Sequence, residues 1–153
     1  MENLSRSTHN VDPVLITPMT MGDYDEVIAL WKATPGIGLS DADSWEGIQR
    51  YLESNPGLSF VARSGEKLVG AALCGHDGRR GYLHHLAVDP DHRKSGTGRR
   101  LSERCLESLK AEGITRCHIF VYANNSGGLT FWNRIGWYER SEMKLMSIDI
   151  PRS

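Results

Sequence analysis

Two hydrophobic periods alternate along the 153-residue chain, and each marks a different kind of element. Val14-Leu15-Ile16 is a short strand. From Thr20 to Ala33, Tyr24, Val27, Ile28 and Trp31 recur at i, i+3, i+4 and i+7, which predicts a helix ended by Pro35-Gly36. A second helix opens at Asp43, with Glu46 three positions on in a capping-box arrangement and Trp45, Ile48 and Leu52 along one face. Asn55-Pro56-Gly57 closes it. Leu58 to Ala62 and Leu68 to Cys74 are apolar strands joined by the turn Ser64-Gly65-Glu66-Lys67. After the turn from His76 to Gly81, Tyr82 to Val88 adds a third strand to the meander. Leu101, Cys105 and Leu109 stripe a helix that runs from Gly98 to Glu112-Gly113. Cys117 to Tyr122 is a strand, Gly128 to Ile135 a short helix stopped by Gly136, and Trp137 to Ile150 supplies one or two final strands.

This order predicts an α/β (α+β) fold with a mixed sheet. Residues 1–12 are polar and patternless and are expected to be a loose extension, leaving 13–153 as one domain. Net charge is −1, so the whole molecule carries no long-range attraction for nucleic acid or an anionic membrane. Positive charge is gathered locally instead, at His92, Arg93, Lys94, Arg99, Arg100 and Arg104. Cys74, Cys105 and Cys117 sit in apolar contexts without metal-type spacing and read as reduced core residues, which points to a reducing compartment, the cytoplasm. No apolar run reaches the length of a membrane span.

The stretch carrying most chemistry is Arg93-Lys94-Ser95-Gly96-Thr97-Gly98, between the third meander strand and the helix. A basic, glycine-spaced turn at a helix N-terminus gathers unpaired backbone N–H groups and the positive end of the helix dipole, a combination suited to phosphate. A Walker A loop ends in Lys-Ser/Thr, whereas Lys94-Ser95 precedes the glycines. A dinucleotide fingerprint needs a third glycine or alanine where Leu101 stands. What fits is Leu86-Ala87-Val88-x-Pro90-x-x-Arg93-x-x-Gly96-x-Gly98. It closely resembles the acetyl-CoA pyrophosphate loop of the GNAT N-acetyltransferase superfamily. A second block, Asn125 followed by Phe131-Trp132 and Ile135-Gly136-Trp137, resembles that family's Asn-x-x-Ala-x-x-Phe-Tyr and Leu-Gly-Phe ending. The resemblance covers about residues 14 to 150.

The resemblance implies a GNAT fold, a mixed and mostly antiparallel sheet flanked by about four helices. It also implies transfer of an acetyl group from acetyl-CoA, as cosubstrate and without a metal, to a primary amine by direct attack. Arg93, Lys94, Ser95, Gly96, Thr97, Gly98 and Arg99 would then hold the pyrophosphate. Leu86, Ala87 and Val88 would offer main-chain groups to the pantetheine arm and to the charge that develops on the acetyl oxygen. Asn125, Phe131 and Trp132 would line the coenzyme arm. For Asn125 an N-cap role stands beside that one, and for Trp132 simple packing does. The family's usual tyrosine acid is absent at Trp132, since an indole N–H is no practical acid, so either the thiolate leaves unprotonated or another group such as Tyr122 or a water assists it.

An amine with a pKa of about 10.4 must lose a proton before it attacks. Period-two alternation puts Tyr82, His84, Leu86 and Val88 on one face of their strand and Leu83, His85 and Ala87 on the other, so a single histidine faces the site. A similar histidine in arylalkylamine acetyltransferases favours His84 as the base, with Tyr82 beside it. The alternatives are a structural histidine and a proton drawn off through water. In this fold the acceptor side is formed by the first two helices and their connection, which puts Asp41 there, or else in a solvated loop, together with Tyr122. Asp43 is taken up as a helix cap. The acceptor is left open between a small-molecule amine and a protein N-terminus or lysine. An acyl-CoA sensor without turnover is the rival reading. Partners are acetyl-CoA and the amine, with no nucleic acid and no membrane, and a homodimer is left open.

Overall fold

The computed structural model describes residues 13–152, so the extension expected over residues 1–12 lies outside the described residues. The chain divides into two compact units, one ending at Phe120 and the other beginning at Val121. In the first unit the elements follow the order β1 (Val14–Pro18), α1 (Tyr24–Lys32), α2 (Trp45–Ser54), β2 (Phe60–Ser64), β3 (Lys67–His76), β4 (Gly81–Val88), α3 (Thr97–Ala111) and β5 (Cys117–Ile119). Short 3-10 turns at Met21–Asp23, Asp41–Asp43 and Pro90–His92 lead into α1, α2 and the glycine turn. Among the described residues the sheet has five strands in the order β1-β2-β3-β4-β5. The first three pairings are antiparallel and the last is parallel, so the sheet is mixed and mostly antiparallel.

The elements form where their side chains find cover. Val27 and Trp31 of α1 and Ile48 of α2 pack with Val61, Ala71, Leu73 and Ala87 on one face of the sheet. On the other face α3 lays down Leu101, Cys105 and Leu109, all buried. A Cβ on Gly81 would stand 2.6 Å from Leu109 Cδ1, and one on Gly70 3.0 Å from Leu101 Cδ1, so both glycines give the helix room to approach. This double cover explains why Leu68 to Cys74 is a continuous apolar run rather than an alternating one. Losing one of these buried leucines to alanine costs about 2–5 kcal/mol. Cys74 and Cys105 are buried and Cys117 is half-buried, all as free thiols.

The register holds one irregularity that matters for chemistry. Along β3 and β4, Leu73 pairs with His85 but Cys74 pairs with Leu83, so His84 is an extra residue without a cross-strand partner. This β-bulge shifts the phase of the strand by one position.

β4 also parts from β5 early. Their pairing covers only Gly81–Cys117, Tyr82–His118 and Leu83–Ile119. From His85 to Val88, β4 keeps β3 on one side and has no strand on the other among the described residues.

The second unit contains α4 (Ser126–Arg134). Asn125 caps it by accepting a hydrogen bond from Gly128 N at 2.9 Å. Trp132 is buried between Phe131 and Trp137, each with its ring centroid 4.9 Å away in a T-shaped contact. The strand expected over Cys117 to Tyr122 ends at Ile119, and the one or two strands expected from Trp137 to Ile150 are not formed. Apolar spacing marks a strand only where a neighbouring strand accepts its hydrogen bonds, and the described part of this unit offers a single helix. Met146 and Ile148 are accordingly both 90% exposed.

Candidate active site

The connection between α1 and α2 builds one wall of the site. Ser40 opens the 3-10 turn Asp41–Asp43, with its Oγ accepting from Ala42 N at 3.2 Å and its own N–H donating to Asp43 Oδ2 at 3.0 Å. The next residue, Ser44, is extended and caps α2 by accepting from Gly47 N at 3.0 Å. The cap of α2 is therefore Ser44, and the reading of Asp43 in that role is corrected. Asp43 closes the preceding turn and is buried, which leaves its second oxygen for another partner. Tyr24 Oη fixes the same residue from α1 by donating to the Asp43 carbonyl at 2.7 Å.

That second oxygen meets His85. Asp43 Oδ1 lies 3.0 Å from His85 Nε2, and Trp31 stands edge-on to the imidazole with ring centroids 4.8 Å apart. Placement of His85 on the face opposite His84 is thus overturned. Strict alternation fails at the bulge, and both histidines face α1 and α2. His84 makes a T-shaped contact with Tyr51 of α2 at 5.5 Å and stacks at 6.2 Å with Tyr82. Tyr82 in turn neighbours His118 and Phe120.

The two histidines border an open cavity of about 440 Å3 beside α2 and its preceding turn, a volume suited to a small ligand. Its lining includes Ser40, Asp43, Arg50, Tyr51, His84 and His85. Asp41 occupies the exposed start of the 3-10 turn and is not among the lining residues.

The electrostatics follow from crowding. His84 lines the cavity and keeps exposed surface, yet protein atoms surround much of the ring. This burial, aided by His85, holds its pKa below the ordinary histidine value despite the opposing pull of Asp43. His84 is consequently a neutral base at neutral pH. Burial pushes the Asp43 carboxyl upward, but hydrogen bonds from His85 and the Ser40 N–H outweigh it and the group ends below its usual value, ionised. Burial also raises Tyr51, keeping its hydroxyl protonated.

β4 leads from this cavity to the glycine turn. Asp89 accepts from Asp91 N at 2.9 Å to start the 3-10 turn Pro90–His92, and Arg93 Nε donates to Val88 O at 2.9 Å, tying the loop to the strand end. Ser95 Oγ donates to His92 O at 2.7 Å and lies 3.2 Å from Thr97 Oγ1. Lys94 (φ 66°) and Gly96 (φ 86°) are left-handed, a backbone conformation used in anion-binding turns. No side chain caps α3 and no acidic residue occupies its first turn, so the N–H groups of Thr97, Gly98 and Arg99 sit at an electropositive helix end. Asn125, Phe131, Trp132 and Tyr122 belong to the second unit, where Tyr122 is exposed.

Sequence reasoning missed Asp43, Tyr51 and His85 as site residues. Tyr51 had a signal, since it follows Ile48 at helical spacing on the buried side of α2. His85 had none, because a bulge leaves no mark in the pattern of apolar residues.

Known proteins are similar to this chain in sequence and in fold. The chain is 32% identical over 120 residues to Acetyltransferase ECA0875 of Pectobacterium atrosepticum, covering 78% of this chain and 80% of that one. It is 30% identical over 124 residues to Acetyltransferase SG1711 of Sodalis glossinidius, covering 81% and 86%. Its fold is similar to that of the PaiA N-acetyltransferase of Thermoplasma acidophilum, solved in complex with coenzyme A, at a TM-score of 0.70 and 20% identity over 81% of this chain and 89% of the other. The family model described as acetyltransferase (GNAT) family matches residues 24–137. That span takes in both histidines, the open edge of β4 and the glycine turn, and the chain belongs to the GNAT acetyltransferase family.

Proposed function

We propose that the protein is an acetyl-CoA-dependent N-acetyltransferase that moves the acetyl group to a primary amine by direct attack. The observation that carries this reading is the continuity of β4. One strand, unpaired on its β5 side from His85 to Val88 among the described residues, joins a cavity holding a neutral histidine to an electropositive glycine turn. From His84 to Val88 the strand spans about 13 Å at ~3.3 Å per residue. A protein of similar fold solved in complex with coenzyme A supports the use of this coenzyme.

Each residue then has a physical task. The backbone N–H groups from Gly96 to Arg99 bind the pyrophosphate, with Arg93 keeping the loop on the strand end and Lys94 adding charge. Main-chain groups of Leu86, Ala87 and Val88 pair with the amides of the pantetheine arm, and one N–H faces the acetyl oxygen as negative charge develops there. His84 takes the proton from the ammonium group of the acceptor. The free amine forms the C–N bond as the C–S bond breaks, the attacking nitrogen gives up its second proton to leave a neutral amide, and the thiolate departs to solvent, where it is protonated to free coenzyme A. Tyr82 keeps the His84 ring oriented by stacking.

Initial-rate kinetics test direct attack. With acetyl-CoA and a reactive amine from a panel of small amines and peptide N-termini varied together, reciprocal plots should intersect, as for a ternary complex. Intact-mass measurement with acetyl-CoA alone should show unmodified protein. Parallel plots with an acetylated enzyme would contradict the proposal.

A further inference from the structure

The pairing of Asp43 with His85 has no task in the mechanism above, although it is the most enclosed polar contact in the cavity. Asp43 is 7% exposed, and both of its oxygens are committed, Oδ2 to the Ser40 N–H and Oδ1 to His85 Nε2, each at 3.0 Å. A backbone N–H is always a donor, and an ionised carboxylate is acceptor-only. The proton in the Asp43–His85 contact therefore sits on Nε2. That leaves Nδ1 as the ring nitrogen not engaged by Asp43, and Nδ1 has no hydrogen-bond partner among the described residues while the side chain lines the cavity.

We propose that Asp43 is a positioning residue that fixes the Nε2–H tautomer of His85, so that His85 Nδ1 acts beside His84 as a second proton acceptor for the incoming amine. This rests on the acetyl-transfer reading. In the step, His84 takes the first proton from the ammonium group, the N–H bond that remains in excess on the attacking nitrogen breaks as the C–N bond forms, that second proton joins Nδ1, and the resulting imidazolium is stabilised by the Asp43 carboxylate 3.0 Å away. The bulge at His84 makes the arrangement possible, since a regular strand would turn one of the two rings to α3. The ionisable groups around His85 are Asp43 from the 3-10 turn, His84 from β4, Arg50 and Tyr51 from α2, and Tyr24 of α1, whose hydroxyl binds the Asp43 carbonyl. Trp31 and Leu73 complete the surroundings and do not titrate.

The test exploits the difference between a carboxylate and an amide. In Asp43→Asn the single oxygen must stay with the Ser40 N–H, which turns the NH2 group to His85 Nε2. A donor there forces the proton onto Nδ1 and removes the lone pair from the cavity. We expect kcat to fall on the order of 10²-fold, with acceptor KM, acetyl-CoA affinity and thermal midpoint little changed. His85→Gln should fall by a similar factor. Long-range 1H–15N spectra of the histidine rings at mildly alkaline pH give a readout independent of turnover. The wild type should show His85 protonated on Nε2, and Asp43→Asn should show it protonated on Nδ1. An Nδ1–H tautomer in the wild type would overturn the proposal even if no variant folds. Wild-type kcat in Asp43→Asn or in His85→Gln would overturn it as well. An expected tautomer in a protein that acetylates no amine would refute the acetyl-transfer reading, and with it the base role of His85.

Discussion

Substituting Gly47 by alanine sets two rules against each other. Gly47 is the third residue of α2, and by helix propensity alone alanine should stabilise that position by about 1 kcal/mol. The structure predicts the opposite sign. A Cβ at Gly47 would collide with the Ala42 carbonyl oxygen, and it would stand 3.0 Å from the carbonyl carbon and 3.2 Å from Ser44 Oγ. The first two are backbone atoms and cannot rotate away. Overpacking of this kind costs about 1–3 kcal/mol, and disturbing the Ser44 cap adds up to about 1 kcal/mol. Set against the propensity gain, mid-range values of these costs leave a net loss of about 1–2 kcal/mol, read as a lower urea midpoint at unchanged m-value or a fall in Tm of about 2–8 °C. Because Ala42 belongs to the turn that carries Asp43, kcat/KM for the acceptor should fall while acetyl-CoA affinity holds. Gly127→Ala is the matched control. It lies in the first turn of α4 with no atom within 4 Å of its Cβ, and it should be neutral or stabilising by up to about 1 kcal/mol. A Gly47→Ala protein as stable as the wild type would refute the reasoning.

Gly96→Asp should weaken acetyl-CoA binding at least tenfold by calorimetry with the fold intact. Its φ of 86° is one aspartate tolerates at a cost of about 1 kcal/mol, the space around it is open, and the new carboxylate would face the phosphate; unchanged affinity would remove the turn from the coenzyme site. His84→Ala should lower kcat by about 10²-fold, and in the wild type the acidic limb of kcat should lie below the ordinary histidine pKa. A limb at or above that value would mean that another group titrates. The same lowered pKa has a stability sign. Unfolded protein binds more protons between the two values, so His84 makes the fold lose stability as pH falls below about 6.5, and His84→Ala should flatten that part of the Tm profile. Arg63 bridges Asp23 at 2.7 Å and Glu26 at 2.9 Å, chiefly lowering the Glu26 pKa through their hydrogen bond, so Arg63→Met should lower Tm near neutrality. The difference should vanish as pH falls through the carboxylate range, and a difference that persists there would assign it to packing.

What was legible in the sequence is what local rules decide. The helix at Tyr24, Val27, Ile28 and Trp31 follows from spacing alone, and so does the buried run from Leu68 to Cys74. The glycine turn was legible because φ values near +70 to +90° and an uncapped helix start leave few residue choices. What was not legible depends on partners distant in sequence. The histidine faces hinge on one extra residue in β4 against β3, and the role of Asp43 on a histidine 42 residues away. Ser44 and Asp43 are both good caps, and sequence does not say which one a distant imidazole will claim. The segment from Trp137 to Ile150 had the composition of a strand, but composition does not supply a pairing edge.

The central claim is acetyl transfer from acetyl-CoA to an amine, and its most direct test is a balance of products. Purified protein is incubated with acetyl-CoA and the amine panel, free coenzyme A thiol is titrated, and acetylated amine is quantified by mass spectrometry. The account predicts equal amounts of thiol and acetylamide, formed only when a suitable amine is present and lost together in Gly96→Asp. Thiol released at the same rate without amine, or coenzyme bound with no acetylamide from any member of the panel, would contradict it.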